Sequence, residues 1–94
     1  MKMLMIIVDE SKKEELEAVL TEAGVVGYTE ISHASGRGET GPRLGSGAFP
    51  RTSALVFTVL SQQAVDGLRA AIRGFCEDCG ERLKMIAWDV EEVA

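Results

Sequence analysis

The 94-residue chain is poor in the residues that mark several common classes of protein. It has one Trp, one Tyr, three Phe, one His, two Cys and two Pro, and its 10 basic residues are outnumbered by 15 acidic ones. The net charge of −5 and the pI of about 4.8 argue against a nucleic-acid partner, because phosphate binding needs a basic face.

Long apolar segments are also missing from the sequence. The longest run, Met3–Val8, is too short to cross a bilayer, so we expect no membrane insertion. No charged segment followed by an extended apolar stretch opens the chain, and a secretory signal is therefore not expected. With few cysteines and no export signal, the sequence predicts a cytoplasmic protein. Its length predicts one domain, residues 1–94.

The residue patterns of common active sites are absent as well. No paired carboxylates and no nucleophile–base spacing stand out, and His33 alone does not supply a catalytic dyad. The GRG at 36–38 and the GSG at 45–47 lack the strand–turn–helix context of phosphate-binding fingerprints. We therefore expect a protein that is not an enzyme.

The first third of the chain shows strand, helix and strand signals. Met3–Val8 has the length and apolar character of a covered strand. Ser11 and Glu14 have the spacing of a capping box and predict a helix over residues 12–23, which Gly24 would end. Val25–Ser32 is rich in β-branched and aromatic residues and predicts a second strand.

The last third repeats this pattern. Ser53–Leu60 predicts a strand with Leu55, Phe57 and Val59 on one face, and a helix begins at Ser61. The helix carries one apolar stripe and leads to a fourth strand over Leu83–Val90; the stripe is Val65, Leu68, Ile72 and Phe75.

The order β-α-β-β-α-β predicts an α+β, ferredoxin-like fold with two helices on one face of a four-stranded antiparallel sheet. The other sheet face must be polar or covered by a partner. We expect Phe57 and Val59, with Met85 or Trp88, to offer apolar surface for a subunit interface.

Between the second and third strands lies a long loop, residues 34–52, that the sequence predicts to be structureless. The stretch from Ile31 to Ser53 contains five of the ten glycines and both prolines. A loop of this length in a compact domain favours function. Glycines admit an anion to the backbone and arginines grip phosphate or carboxylate, which makes Arg37, Arg43 and Arg51 candidate contacts. Phe49 is either a docking anchor for a partner or a residue that pins the loop to the sheet.

Cys76 and Cys79 form a CxxC pair after the second helix. Such a pair can be structural, can form a reversible disulfide, or can supply half of a metal site. A zinc site needs four ligands, and His33 is the only other soft ligand in the chain. With only His33 and nearby acids beyond the cysteines, a closed site within one chain is not expected. A trimer would allow His33 of one subunit to meet Cys76 and Cys79 of another.

Taken together, these residues resemble the PII signalling superfamily over nearly the whole chain. The segment EAGVVGYT places Gly27 and Thr29 where PII proteins have a Gly and a Thr after the first helix. Gly36 and Arg37 fall where that family has a Gly-Arg pair at the base of its exposed T-loop. Lys84 opens a last strand similar to the PII strand that begins with a phosphate-binding Lys.

The resemblance implies a homotrimer that binds ATP or ADP between subunits and uses its loop to regulate a transporter or an enzyme. By position, Thr29 would lie beside the base, Gly36 and Arg37 would meet phosphates, and Lys84 would pair with a phosphate. The loop would contact the regulated partner through Arg43, Phe49 and Arg51.

The segment before Lys84 departs from the family, because acidic residues stand where PII proteins have a glycine-rich phosphate loop; they are Glu77, Asp78 and Glu81. We therefore keep two functions open. One is a PII-like regulator of a small anionic effector, with an adenine nucleotide as the candidate. The other is a trimeric zinc- or copper-responsive protein, similar to the divalent-cation-tolerance proteins of the same fold, that uses His33, Cys76 and Cys79.

Overall fold

The structure, a computed structural model, describes residues 1–38, 41–43, 52–73 and 83–94. The elements follow in the order β1 (Lys2–Asp9), a 3-10 turn (Glu10–Lys12), α1 (Lys13–Glu22), β2 (Thr29–Ala34), β3 (Gly36–Gly38), β4 (Gly41–Arg43), β5 (Ser53–Leu60), α2 (Gln62–Arg73) and β6 (Leu83–Asp89). The predicted β-α-β-β-α-β order is confirmed, with a small hairpin added between the second and third long strands.

Four strands form one antiparallel sheet in the order β2-β5-β1-β6. The central strand β1 pairs with β5 along its whole length, from Lys2 opposite Leu60 to Asp9 opposite Ser53. Its other side pairs with β6, from Lys2 opposite Asp89 to Val8 opposite Leu83. The edges of the sheet are therefore β2 and β6.

Alternation along the strands separates a core face from an open face. On the core face, buried residues of β1 and β5 pack against both helices and form one apolar cluster: Leu4, Ile6, Val8, Ala54, Val56, Leu16, Leu20 and Leu68. Removing this apolar surface from water is the main favourable contribution to folding. Ile72 packs at its margin, and Phe75, the last residue of the predicted stripe, lies outside the described residues.

The open face carries the other half of the alternation, including the predicted set Leu55, Phe57 and Val59. Of the two alternatives on β6, Trp88 lies on this face because it pairs with Met3, and 42% of its surface is exposed. Met85 pairs with the buried Ile6 and packs against the core instead. The interface prediction is thus wrong for Met85, since period-two alternation puts positions 85 and 88 on opposite faces.

Helix α1 begins differently from the prediction. The side chain of Asp9, at the end of β1, accepts hydrogen bonds from the backbone N–H (3.1 Å) and the hydroxyl of Ser11 and so caps the 3-10 turn. Ser11 is therefore a donor here and not the capping acceptor, and the predicted capping box is wrong. The end of the helix is confirmed: Gly24 has φ +83°, and the N–H of Val25 donates to the Leu20 carbonyl at 3.0 Å.

Candidate functional site

Thr29 and Lys84, two of the four predicted effector residues, lie on the open face of the sheet. Thr29 is opposite Phe57, which is opposite Met5, and Met5 is opposite Ile86. Directly paired residues point to the same side of a sheet, and Lys84 is two positions from Ile86, so both side chains share one face. Both residues are exposed.

The same two residues are nevertheless far apart, because Thr29 is on edge strand β2 and Lys84 on edge strand β6. Three inter-strand steps and a two-residue offset place their Cα atoms about 16 Å apart. Thr29 and Lys84 of the same chain are therefore too far apart to contact one small ligand together.

Gly36 and Arg37, the other two predicted effector residues, lie in a two-stranded ladder. In it Gly36 is opposite Arg43 and Arg37 is opposite Pro42. The predicted structureless loop therefore begins with regular structure, and its hairpin follows β2 after a single residue, Ser35. A short ladder of this kind has no apolar periodicity in the sequence that would predict it.

Nothing in the described part of the chain requires a glycine at position 36. A Cβ atom added there would meet no heavy atom within 4 Å. Of the described glycines, only Gly24 has a positive φ. None of the described residues therefore fills the space beside the Gly36 backbone.

His33 occupies an irregular position at the base of this loop. The pairing of β2 with β5 changes register between Ile31 and Ala34, which marks a β-bulge, and His33 has φ +58°. This left-handed conformation is uncommon for a residue with a Cβ atom, although histidine is among those enriched in it. Pairing resumes after the bulge with Ala34 opposite Ser53, and the hairpin begins two residues later at Gly36.

Around His33 the structure assembles a group of polar side chains that we name the loop-base cluster: Glu10, Lys13, Glu30, Ser32 and His33. The backbone N–H of His33 donates to Glu10 Oε1, and its Nδ1 lies 3.6 Å from the same oxygen. Lys13 Nζ lies 3.6 Å from Glu10 Oε2 and 3.5 Å from both Glu30 Oε1 and Ser32 Oγ. This cluster connects the start of α1 to the end of β2.

The charges in the loop-base cluster affect Lys13. Partial burial acts to lower the pKa of Lys13, but the charges and hydrogen bonds of Glu30 and Glu10 outweigh it, so the pKa is raised from its ordinary value. Lys13 is a cation at neutral pH. Sequence reasoning missed this cluster; the only signals were the i, i+3 spacing of Glu10 and Lys13 and the alternation of Glu30 with Ser32.

Thr29 lines a groove of about 270 Å³ where β2 begins, and the full lining is Met3, Gly27, Tyr28, Thr29, Phe57, Thr58 and Val59. The rim is held by the hydroxyl of Thr58, which donates to the Gly27 carbonyl at 2.7 Å. Burial, and then the charges of Glu17 and Glu30, raise the pKa of Tyr28, so its phenol is neutral. The groove thus offers apolar walls with Thr29 as a hydrogen-bonding side chain.

Most of the remaining predicted contacts fall outside the described residues. Arg43 lies in β4, where the backbone is described, whereas Phe49, Arg51, Cys76 and Cys79 lie outside the described residues. Among residues 1–38, 41–43, 52–73 and 83–94, no group of three His, Cys, Asp or Glu side chains is arranged to hold a metal ion. The metal site of His33, Cys76 and Cys79 stays a prediction.

In these same ranges, no helix combines the length and the hydropathy needed to cross a bilayer.

Two solved structures similar to this chain carry bound ligands. CPII, a nitrogen regulatory PII-like protein from Thiomonas intermedia K12, was solved with ADP, AMP and bicarbonate; the match has a TM-score of 0.73 and 25% identity and covers 95% of this chain and 86% of CPII. CPII bound to ADP and bicarbonate matches with a TM-score of 0.73 and 26% identity over the same shares. The apo form of CPII, at 22% identity and a TM-score of 0.67, shares the fold. No curated protein matches the chain.

The sequence profile described as "Nitrogen regulatory protein P-II" matches residues 1–94. That match agrees with the strand order, the two helices on one face and the long insertion between β2 and β5. The chain therefore belongs to the P-II family of nitrogen regulatory proteins.

Proposed function

We propose that this protein is a cytoplasmic regulator that binds a small anionic effector, an adenine nucleotide, between the subunits of a homotrimer. In this proposal the chain is one domain and residues 34–52 are an exposed loop that contacts a membrane transporter or an enzyme. The observation that carries the proposal is the placement of Thr29 and Lys84 on one face but on opposite edge strands.

A site that uses both edges of the sheet requires two copies of the chain. In a cyclic trimer the β2 edge of one copy meets the β6 edge of the next, and three equivalent contacts close the ring. Thr29 and the hairpin with Gly36 and Arg37 come from one subunit, and Lys84 comes from its neighbour. An anion in this cleft would lie between Arg37 of one subunit and Lys84 of its neighbour.

The open sheet face supports association of this kind. Ile31, Ile86 and Trp88 are 50%, 41% and 42% exposed there, beside the half-buried residues of β1 and β5. Contiguous exposed apolar surface on a small domain commonly marks an interface. Copies packed through this face would bring their edge strands, and so the two halves of the cleft, together.

The choice of effector follows from charge and from the relatives. Arg37 and Lys84 favour a phosphate-bearing ligand, and the open space at Gly36 lets a ligand approach the backbone. CPII binds ADP, AMP and bicarbonate. ADP and bicarbonate are therefore the probes to use first.

The test is calorimetric titration of ADP, with and without bicarbonate, into the wild-type protein and an Arg37→Glu, Lys84→Glu variant. We expect binding to the wild type and loss of at least about a hundredfold in affinity in the variant, because two charge-assisted contacts become repulsive. The matched control is Arg69→Glu, Arg73→Glu, which makes the same charge change on exposed positions of α2. Equal affinity in the two charge-reversed proteins would exclude the proposed cleft.

The regulatory step is proposed to use the loop. Effector binding at its base would set the conformation of the loop, and the loop would contact the partner through Arg43, Phe49 and Arg51. A triple alanine variant at these positions should bind ADP like the wild type and should fail to bind the partner. A loss of ADP binding in this variant would place those residues in the effector site instead.

A further inference from the structure

Glu10 contacts both ends of the proposed loop. Its backbone N–H donates to the Thr52 carbonyl at 3.1 Å, where the chain returns to the sheet. Its carboxylate accepts the backbone N–H of His33, where the chain leaves. Glu10, which directly follows strand β1, thus contacts the chain on both sides of the proposed loop.

The bulge explains why His33 needs this acceptor. A β-bulge sets two residues of one strand against one residue of its neighbour, and the register change sets Ser32 and His33 against Ala54. A backbone N–H that has lost its ladder partner must find another acceptor or water. The carboxylate of Glu10 provides that acceptor while His33 holds φ +58°.

The carboxylate is itself held in place. Its second oxygen lies 3.6 Å from Lys13 Nζ, and that ammonium lies 3.5 Å from Glu30 Oε1. The Glu10 and Glu30 side chains are only 19% and 18% exposed. Groups shielded from water in this way interact more strongly than ion pairs on an open surface.

We propose that Glu10 is a positioning residue for effector binding. It joins the outgoing and returning ends of the loop and so fixes the direction in which the hairpin with Gly36 and Arg37 leaves the sheet. This inference rests on the proposed function for its effect on affinity. Its effect on the loop base is measurable in the free protein.

The experiment compares Glu10→Ala, which removes the acceptor, with Glu10→Gln, which keeps an acceptor oxygen and loses the charge. The control is Glu15→Ala: Glu15 is also a carboxylate near the start of α1 and pairs with a lysine, Lys12, at 3.6 Å, but it lies outside the loop-base cluster. Two quantities are measured on each protein: the hydrogen-exchange rates of the His33, Gly36 and Gly38 amides by NMR, and ADP affinity by calorimetry.

We expect Glu10→Ala to speed exchange of the His33 amide by about tenfold and to weaken ADP binding several-fold, as expected for loss of one charge-assisted hydrogen bond. Glu10→Gln should change the exchange rate and the ADP affinity in the same direction but by less than Glu10→Ala does. Glu15→Ala should match the wild type in both. If Glu10→Ala does not fold, Glu10→Gln decides alone, because a weaker acceptor should still speed exchange at His33.

Unchanged exchange in the Glu10 variants overturns the inference. So does faster exchange combined with unchanged ADP affinity, and this result would leave the proposed function standing. If the wild type binds no ADP, the proposed function fails, and the amides of Gly36 and Gly38 decide whether Glu10 holds the hairpin: faster exchange supports that role and unchanged exchange contradicts it.

Discussion

Thr29 and Lys84 face the same side of the sheet from its two opposite edges, with β5 and β1 between them. This relationship makes the assembly of subunits a condition for the proposed effector site. It also yields a prediction that a single-chain site would not make.

Two defective variants should restore each other in mixed trimers. Arg37→Glu damages the β2 side of every cleft and Lys84→Glu damages the β6 side, so neither variant alone should bind ADP. When equal amounts are unfolded and refolded together, each mixed trimer contains one undamaged cleft, and about one quarter of all clefts should bind. The measurement is the stoichiometry of ADP binding by calorimetry.

The control for this experiment is a mixture of the two variants that were folded separately and never exchanged, which should not bind. If co-refolded protein also shows no binding while it remains trimeric, the two residues do not share a cleft.

Gly36→Ala should separate ligand binding from folding. A Cβ atom has open space at this position, so the melting temperature should change little, while ADP affinity should fall by about tenfold or more if the ligand approaches the backbone there. Thermal unfolding and calorimetry give the two values. Gly67→Ala is the control: it also has open space, lies within α2, and should raise stability by about 1 kcal/mol without affecting ADP. Wild-type affinity in Gly36→Ala would remove Gly36 from the site.

Association through the open face should be visible in the fluorescence of Trp88, the one tryptophan of the chain. Dilution that dissociates the proposed trimer should shift the emission to longer wavelength, because the Trp88 side chain returns to water. Sedimentation should show the same transition, from three times 10.1 kDa to one chain.

Ile31→Glu on the open face should weaken this association by at least about tenfold, since a carboxylate would lose its water. Val26→Glu, at a fully exposed position outside the sheet, should leave it unchanged. Equal association of these two variants would place the interface elsewhere.

The ion pair of Asp89 with Lys2, 2.8 Å apart across β1 and β6, predicts a small pH dependence of stability. The hydrogen bond and charge of Lys2 lower the pKa of Asp89, so its contribution is complete above the unfolded pKa of about 3.9 and is lost as the pH falls through the native pKa. Asp89→Asn should therefore flatten the fall in melting temperature below about pH 4. The effect is small because the carboxylate is 87% exposed. Parallel curves for the two proteins would contradict it.

Much of the fold could be predicted because its elements carry local periodicity. The alternation of Ser53–Leu60 predicts β5 with its observed bounds, and the stripe of Val65 and Leu68 identifies the buried side of α2. The sequence does not identify Asp9 as the cap of the 3-10 turn, because Asp9 ends an apolar strand and Ser11, two residues later, has the spacing of a capping box with Glu14. The spacing of a motif does not say which of two neighbouring hydroxyl or carboxylate groups will accept the hydrogen bond.

The site was only partly predictable for a different reason. Resemblance to PII proteins is the basis for predicting Thr29, Gly36, Arg37 and Lys84. The separation of Thr29 from Lys84 follows from the order of the strands in the sheet, which the order of the elements along the chain does not determine. The contact between Glu10 and His33 joins positions in separate elements, and it depends on a bulge that leaves no mark in the residue pattern. Long-range polar contacts of this kind become visible only in three dimensions.

The strand order also determines when the sheet can be completed during synthesis. Strand β1 is synthesised first. Its neighbour β5 is synthesised only after more than half of the chain, and its other neighbour β6 only after nearly all of it. Bringing such distant strands together costs loop-closure entropy before their pairing stabilises the chain. Folding should therefore be slow compared with that of a helical bundle of equal length. Until β5 emerges, the apolar residues of β1 have no strand to pair with, and the nascent chain is then most exposed to aggregation and to chaperones.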